Sequence, residues 1–368
     1  MQKVLRGRGS VSRVRELMDK LGITRPLVVG RSQVQYLPEG VAEITFGGYH
    51  PNPDWADCAG GREMYLAQGC DGIISIGGGS AMDTAKGVKA LLLAEDADHA
   101  LHNDFSGGGI PHIAIPATAG TGSEATPTAV VYIGEKKHSV SHECLIPEGV
   151  ILDAGLLDTL PEYHKKACAL DALCQGIESY WAKAADDDSR VQAYLAIIGV
   201  LDSIRRYLAG DPNAAAAMLE AAYRSGRAIA KTRTTAAHAM SYMLTKRLGI
   251  AHGHACALTL PWLWEHMTRC EDALPVLMEL SSAMCMGSEL MGPKLLYGML
   301  IDLGMEAPDL PDEALLEDLA ASVDVERLGN HPVPLTKAEL KQIYRRAFVK
   351  PVGAARQACL DVWQYYGR

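Results

Sequence analysis

No two cysteines in this sequence have CxxC spacing, although the chain carries nine. A scattered, odd-numbered set makes neither a disulfide framework nor a Cys-rich zinc site, so reduced thiols and a cytoplasmic location are expected. Long apolar runs are missing too. None approaches the ~18 residues that would suggest a membrane span, so no membrane association is expected. The opening stretch, MQKVLRGRGSVSRVRELMDKLG, has no apolar core followed by a cleavage site, so no signal peptide is expected. Positive charge is in deficit, with 35 Lys and Arg against 44 Asp and Glu and a formal net charge of −9. That balance argues against nucleic acid as a partner, while a local basic pocket remains open. There is no long-period repeat and no low-complexity segment. What is present is an ordinary globular composition, 48% hydrophobic and 21% charged over 368 residues, enough for about two domains.

The first part of the chain alternates strand and helix signals. Val11, Val14, Leu17, Met18 and Leu21 have helical spacing. RPLVVGRS (25–32) is a short apolar run ending in Gly and reads as a buried parallel strand. Ile44-Thr-Phe-Gly-Gly reads as a strand end before the turn His50-Pro-Asn52-Pro53, and residues 54–69 read as a helix stopped at Gly69. DGIISIGGGSAMDTAKGVKALLLA (71–94) gives strand, three glycines and helix; HIAIPATAGTGSEATPTAVVYI (112–133) gives strand, Thr/Gly-rich loop and strand. This alternation predicts a doubly wound α/β domain over 1–155. Residues 161–299 are rich in Ala, Leu and Met at helical spacing, which predicts an all-α domain over 156–368. The stretch TKAELKQIYRRA (336–347) starts with a capping-box pattern.

Gly77-Gly78-Gly79-Ser80 closes a strand and opens a helix. Backbone N–H groups and the helix dipole at such a point bind a pyrophosphate, and glycines let the backbone approach it closely. The GxGxxG fingerprint is absent, and a glycine triplet alone reads equally well as a tight βα turn. The second loop, Pro116 to Glu124, adds small hydroxyls at the end of another strand, where ligands of open α/β sheets sit.

In the helical part, Asp171 and Gln175 stand at i, i+4 on one helix face. The stretch 226–256 carries His238 and His252 and ends in a His-Gly-His turn. These four side chains have metal-capable atoms and could converge from two or three helices. The blocks GGGSAMDTAK, PATAGTGSE, DALCQGIESYW and HAMSY…AHGHACAL, in this order, resemble those of the iron-containing (group III) alcohol dehydrogenases. That resemblance implies an N-terminal dinucleotide domain, a C-terminal helical domain, NAD(P), a divalent metal (Fe, Zn or Mn) and a homodimer. It also implies nicotinamide-dependent reduction of a small aldehyde, or the reverse oxidation of an alcohol.

The family holds its metal with one Asp and three His. Asp171, His238 and His252 match three of these positions, and the fourth, normally His, is Gln175. Gln175 could ligate through its carbonyl oxygen, hold a water, or leave the metal weak or absent, because an amide is a poorer transition-metal ligand than imidazole. A retained metal is expected, since Asp-His-His leaves an open position for a carbonyl to be polarised. His238 and His252 are thereby candidate catalytic residues. Tyr242 is a third, standing where the family usually has His, to orient substrate or join a proton path, or else simply to pack. His254 reads as a supporting residue. The resemblance also implies cofactor contacts at Arg31, Ser32, Asn52, Gly77, Gly78, Gly79, Ser80, Asp83, Thr118, Thr121, Ser123, Thr126 and Lys137. Arg31 stands where NAD-preferring relatives carry an Asp; an Arg there would attract a 2′-phosphate, so NADP is expected to be accepted alongside NAD.

Before His238 lies Lys231-Thr232-Arg233-Thr234-Thr235. Two cations and three hydroxyls suggest an anionic substrate bound by Lys231, Arg233 and Thr235, with Lys231 and Thr235 taken to share a helix face. A solvated basic face is the other reading. The KTRTTAAHAMSY and DALCQ…ESYW blocks resemble the phosphonoacetaldehyde reductase branch. This implies reduction of phosphonoacetaldehyde to 2-hydroxyethylphosphonate, with sulfoacetaldehyde or a general small aldehyde as alternatives. A dehydroquinate-synthase-type lyase shares the architecture, but its Glu-His-His metal set differs from the Asp171 pattern. A metal-free nucleotide-binding relative is suggested only by Gln175.

Overall fold

The computed structural model describes residues 2–105, 109–134, 136–309, 311–323 and 328–366. They fall into two units, Met1–Leu160 and Pro161–Arg368. The first unit is built on short β-branched runs that bury both faces, as parallel strands do. Its six-stranded parallel sheet has the order β1 (Lys3–Arg6), β8 (Gly149–Leu152), β5 (His112–Pro116), β4 (Gly72–Gly77), β2 (Pro26–Gly30) and β3 (Thr45–Phe46). Leu27, Val28, Val29, Ile73, Ile74, Ile76, Ile113 and Ile115 have no measurable exposure. Helices α1 (Val14–Leu21), α2 (Trp55–Ala67), α3 (Gly79–Leu93) and the short α4 (Ala97–Leu101) connect the strands. From β2 the chain runs outward to β3 and then returns past β2 to β4. The strand order therefore reverses between β2 and β4, and the loops leaving their carboxyl ends form the binding crevice of such a sheet. Those loops begin at Arg31 and Gly78. The edge strand β1, the inner strand β8 and the strand β7 (Lys136–Ser141), antiparallel to β6 (Thr128–Ile133), are additions to the elements read from sequence.

The expected boundary lay after residue 155, whereas the structural division follows Leu160. The turn after β8 is tied into the first unit. Asp153 accepts from the backbone N–H of Gly9 and Val11 at 2.9 and 3.0 Å, Leu156 joins the sheet core, and Arg8 pairs with Asp158.

The second unit is helical among its described residues: α5 (Glu162–Trp181), α6 (Asp187–Leu208), α7 (Pro212–Thr232), α8 (Ala236–Leu248), α9 (His252–Met267), α10 (Leu274–Ala283), α11 (Met291–Leu303) and α12 (Glu313–Ala321), then helices Lys337–Phe348 and Gly353–Tyr366. The Thr336–Glu339 capping box read from sequence is formed. The stretch 226–256 is broken twice, at 233–235 and 249–251, so its histidines start two helices. No helix among the described residues is long and apolar enough to cross a membrane.

His331 has no exposed surface and stands edge-on to Trp181, ring centroids 6.0 Å apart. Neither ring nitrogen has a hydrogen-bond partner. Burial pushes its pKa down to about 4; Glu178 opposes this, while His266 and Lys183 add to it. The folded chain thus holds the ring neutral where the unfolded chain protonates it near pH ~6.5. The associated stability is full above that pH and is lost as pH falls towards 4, a loss on the order of 3 kcal/mol. His331→Leu should flatten this part of the acid limb, read from urea unfolding between about pH 7 and about pH 4. Parallel curves for the two proteins would refute the assignment.

Candidate metal and cofactor sites

Helix α5 carries Asp171, Gln175 and Glu178 along one buried face. Glu178 has no exposure and gathers the start of α8: its Oε1 accepts from Thr235 N (3.0 Å), Thr235 Oγ1 (2.6 Å) and Ala237 N (2.9 Å). Its Oε2 takes the Nδ1 proton of His238. Burial raises the Glu178 pKa, but His238 and Thr235 outweigh it and leave the carboxylate below its usual range. Burial lowers the His238 pKa, but Cys256, Glu178 and Asp171 outweigh it and hold the ring well above the usual imidazole value.

With Nδ1 engaged, His238 turns Nε2 towards Asp171 Oδ1, 3.4 Å away. That Nε2 is buried and has no hydrogen-bond partner. His252, the first residue of α9, has its Nδ1 3.2 Å from Ser241 Oγ and its Nε2 3.9 Å from Asp171 Oδ1. Ser241 Oγ donates to His238 O, so it can accept the His252 Nδ1 proton. Both imidazoles therefore turn Nε2 to one point, with Nδ1 held by a second partner. Cys256, one turn after His252, places Sγ 3.8 Å from His252 Nε2. The four donor atoms of Asp171, His238, His252 and Cys256 lie within 4.8 Å of one another. Burial pushes the Cys256 thiol up, but the two histidines overcome this and bring it to about 7. A carboxylate, a thiol and the Nε2 atoms of two imidazoles, that of His238 buried and without a hydrogen-bond partner, fit a divalent transition metal, which would take the place of any proton on His238 Nε2.

Gln175 shares the face of Asp171, but its Oε1 accepts from Ser225 Oγ of α7 at 2.8 Å. The atom expected to replace the missing imidazole is thus engaged with a neighbouring helix. Sequence reading passed over Cys256 and Glu178, although both were legible as spacing: Cys256 is i+4 from His252, and Glu178 is i+7 from Asp171. Tyr242 stacks on His252, with ring centroids 5.8 Å apart and planes at 11°. His254 faces away, with Nδ1 3.2 Å from Tyr163 OH and Nε2 2.9 Å from Met305 O. Gly253 between the histidines permits the contact of α9 with α5, since a Cβ there would lie 2.1 Å from Ala167 O and 2.8 Å from Asp171 N.

The cationic stretch before His238 is not the helix face expected of it. Helix α7 ends at Thr232 and α8 begins at Ala236, so Lys231 and Thr235 lie on different elements. Thr235 is fully buried and bonded to Glu178; Thr232 Oγ1 lies 2.8 Å from Ser179 Oγ. Lys231 is exposed beside Asp186, Nζ to Oδ2 3.4 Å. Only Lys231 and Arg233 are exposed in this stretch, Arg233 at a left-handed backbone with φ 59°.

In the first unit, Gly77 has φ 152° and a Cβ there would lie 2.9 Å from Ala81 Cβ. Side chains at Gly78 and Gly79 would press on Thr118 and Thr121, at 3.3 and 3.1 Å from their methyl groups. The two loops read as phosphate-binding therefore meet. No side chain caps the start of α3, which leaves a glycine-lined helix N-terminus of the kind that holds a pyrophosphate. Asn52 N donates to Ser80 Oγ at 3.3 Å. Arg31 follows β2, stacks over Tyr49 and donates to Tyr49 O, with Ser32 exposed beside it. Ser123 and Thr126 are otherwise engaged. With Ser123 O and Thr128 O they surround the buried Lys86 ammonium at 2.6–2.9 Å, and Ser123 Oγ also donates to Asp83 at 2.9 Å. Lys137 is partly buried and acts electrostatically on Asp83.

An α/β unit with an uncapped glycine-lined helix start, followed by a helical unit with an Asp-His-His cluster open only at His252, defines a metal- and dinucleotide-dependent architecture. Residues 1–154 match the family model Iron-containing alcohol dehydrogenase, and residues 166–348 match Fe-containing alcohol dehydrogenase family, C-terminal. The chain belongs to the iron-containing alcohol dehydrogenase family, a family of oxidoreductases. It is similar to a phosphonoacetaldehyde reductase of Streptomyces viridochromogenes, 37% identical over 225 residues. That match spans 57% of this chain and 57% of that relative, little more than half its length. A long-chain-alcohol dehydrogenase of Geobacillus thermodenitrificans is 29% identical over 76% of this chain and 75% of its own. The crystal structure of a sulfoacetaldehyde reductase from Bifidobacterium kashiwanohense in complex with NAD+ has a TM-score of 0.85 and 25% identity, covering 95% of this chain and 98% of that one.

Two substitutions test this construction. Glu178→Ala strands two buried N–H donors, the Thr235 hydroxyl and the His238 ring, so unfolding in denaturant should show a loss of about 3–5 kcal/mol; a loss below about 1 kcal/mol would mean that the network is dispensable. Gly253→Ala drives a methyl group into backbone. It should cost roughly 1–3 kcal/mol and lower the melting temperature by several degrees, and an unchanged melting temperature would contradict the packing described.

Proposed function

We propose that this chain is an NAD(P)H-dependent, metal-assisted reductase of a small anionic aldehyde, with phosphonoacetaldehyde, reduced to 2-hydroxyethylphosphonate, as the substrate. The observation that carries the reading is the convergence of Asp171 Oδ1 and His238 Nε2, both buried, with His252 Nε2 on a half-exposed ring. A divalent cation held by these three would polarise a carbonyl as a Lewis acid, and the nicotinamide would supply the hydride. The residues divide the remaining work. Glu178 holds the His238 Nδ1 proton and so keeps the Nε2 lone pair directed at the cation site. Ser241 does the same for His252, whose side chain is 39% exposed while His238 is 4% exposed; the accessible edge for a carbonyl oxygen is therefore at His252. Tyr242, stacked on that ring, orients the substrate and belongs to the proton path to the nascent alkoxide. The glycine cradle at Gly77–Gly79, with Ser80, Asn52, Thr118 and Thr121, takes the dinucleotide phosphates. Arg31 and Ser32 take the ribose end, and the cation there favours acceptance of NADPH.

Similarity to the Streptomyces phosphonoacetaldehyde reductase supports a phosphonate, and the exposed cations Lys231 and Arg233 support an anion. The fold match to a sulfoacetaldehyde reductase supports the sulfonate as the second substrate. All nine cysteines are free, consistent with action in the reducing cytoplasm, and we take the enzyme to work as a homodimer. A lyase of the dehydroquinate-synthase type has no support in the family match.

NADPH oxidation by metal-loaded enzyme with phosphonoacetaldehyde, sulfoacetaldehyde and propionaldehyde tests the reading. The charged aldehydes should lead in kcat/KM, and chelation should abolish turnover. Arg233→Ala should raise KM for the charged aldehyde roughly tenfold to a hundredfold and leave propionaldehyde unchanged. Equal or better turnover of propionaldehyde would make the chain a general aldehyde reductase; full activity after exhaustive chelation would remove the metal from the mechanism.

A further inference from the structure

We propose that Cys256 is the fourth protein ligand of the metal, standing in for the imidazole that position 175 lacks, and that its thiolate biases the site towards borderline-soft cations such as zinc and cobalt(II) over manganese or magnesium. The inference rests on the metal reading above. Three observations carry it. Gln175 Oε1 is bonded to Ser225 on α7. Cys256 is fully buried one helical turn from His252, with Sγ 3.8 Å from His252 Nε2 and within 4.8 Å of the Asp171, His238 and His252 donor atoms. The His238 Nε2, itself buried and without a hydrogen-bond partner, opens into the same space.

The dimensions agree with four-coordination. Metal–ligand bonds of ~2.0–2.3 Å in a tetrahedron put the donor atoms ~3.3–3.8 Å apart. The separations here are 3.4 Å for His238 Nε2 to Asp171 Oδ1, 3.8 Å for Cys256 Sγ to His252 Nε2 and 3.9 Å for His252 Nε2 to Asp171 Oδ1. These three separations lie in or beside that range, and the other pairs of donor atoms lie within 4.8 Å, so binding would draw the four groups inward. Buried cysteine commonly serves as a small hydrophobe. Here, however, the sulfur faces a carboxylate and two imidazole nitrogens, and the exposed edge of His252 leaves room for a fifth ligand from the substrate. Thiolate ligands favour zinc-like cations, whereas carboxylate-rich sets suit manganese and magnesium.

Cobalt(II) is the probe. The full chain, loaded to one cobalt per chain, should show a near-ultraviolet thiolate-to-cobalt charge-transfer band. Cys256→Ser should lose the band and bind cobalt at least about tenfold more weakly, whereas Gln175→Ala should keep it. X-ray absorption of the zinc-loaded wild type, which needs no variant to fold, should show one sulfur at ~2.3 Å. Stoichiometric cobalt without the band, and zinc without a sulfur shell, would overturn the Cys256 assignment and leave the metal site standing. Failure of the wild type to retain cobalt or zinc would overturn both.

Discussion

The carboxylate of Glu178 is fully enclosed in the helical unit and has to be satisfied there, and much of the unit's local geometry follows from it. A buried anion costs several kcal/mol unless it is hydrogen-bonded and paired. Glu178 meets that condition with the backbone of Thr235 and Ala237, the Thr235 hydroxyl and the His238 ring. These donors belong to the first turn of α8, which otherwise has no side-chain cap, so the carboxylate also acts as the cap, supplied from another helix. The chain reaches this arrangement through a break at 233–235, with Arg233 at positive φ. The break sets where α8 begins, and that start aims His238 at Asp171 two turns back along α5.

The second requirement is close approach. α9 must bring His252 to Asp171, and only a residue without a side chain fits next to it, because a Cβ at position 253 would enter the backbone of α5. The His-Gly-His turn divides into three tasks. His252 faces Asp171, Gly253 allows the contact, and His254 anchors the far side to Tyr163 and Met305. Tyr163 in turn receives the N–H of Ala251, which would otherwise be unsatisfied at the start of α9.

How much of this was legible in the sequence depended on whether the signal was local. The β4–Gly77-Gly78-Gly79–α3 unit could be read directly, since strand, turn and helix signals are contiguous there. So could the Thr336 capping box and the residue types of the Asp171, His238 and His252 set. β1 and β8 were not read: each has four residues, and they pair with each other across nearly the whole first unit. Helical periodicity suggested that Lys231 and Thr235 share a face, but the satisfaction of Glu178, which breaks the helix between them, is a tertiary demand that periodicity does not contain. The role of Gln175 stayed open in the sequence for a similar reason, since its partner Ser225 lies on a different helix. Cys256 was visible as i+4 from His252, but a cysteine in an Ala- and Leu-rich helix looks like core until the carboxylate and imidazoles around it are known.

The two units solve the same problem with opposite charges. In the first, the buried Lys86 ammonium collects Ser123 O, Ser123 Oγ, Thr126 Oγ1 and Thr128 O. Burial pulls its pKa down to about 8, while Asp83 and Glu124 resist, so the side chain is still predominantly cationic at neutral pH. The loop hydroxyls are engaged behind the glycine turn, and the uncapped N–H groups of α3 are left facing outward. A cation behind a nest of amides adds to the positive potential that an anion would meet there. In the second unit a buried anion, Glu178, accepts a hydrogen bond from His238 Nδ1 and so turns Nε2 towards Asp171. In each case the fully buried charge fixes the group in front of it, and the sign is the one that group requires: positive behind donors meant for phosphate, negative behind an imidazole meant for a cation. Reversing either sign would weaken the group in front even if every contact were kept. Lys86 and Glu178 thus shape the two proposed sites from behind, through the groups they hold.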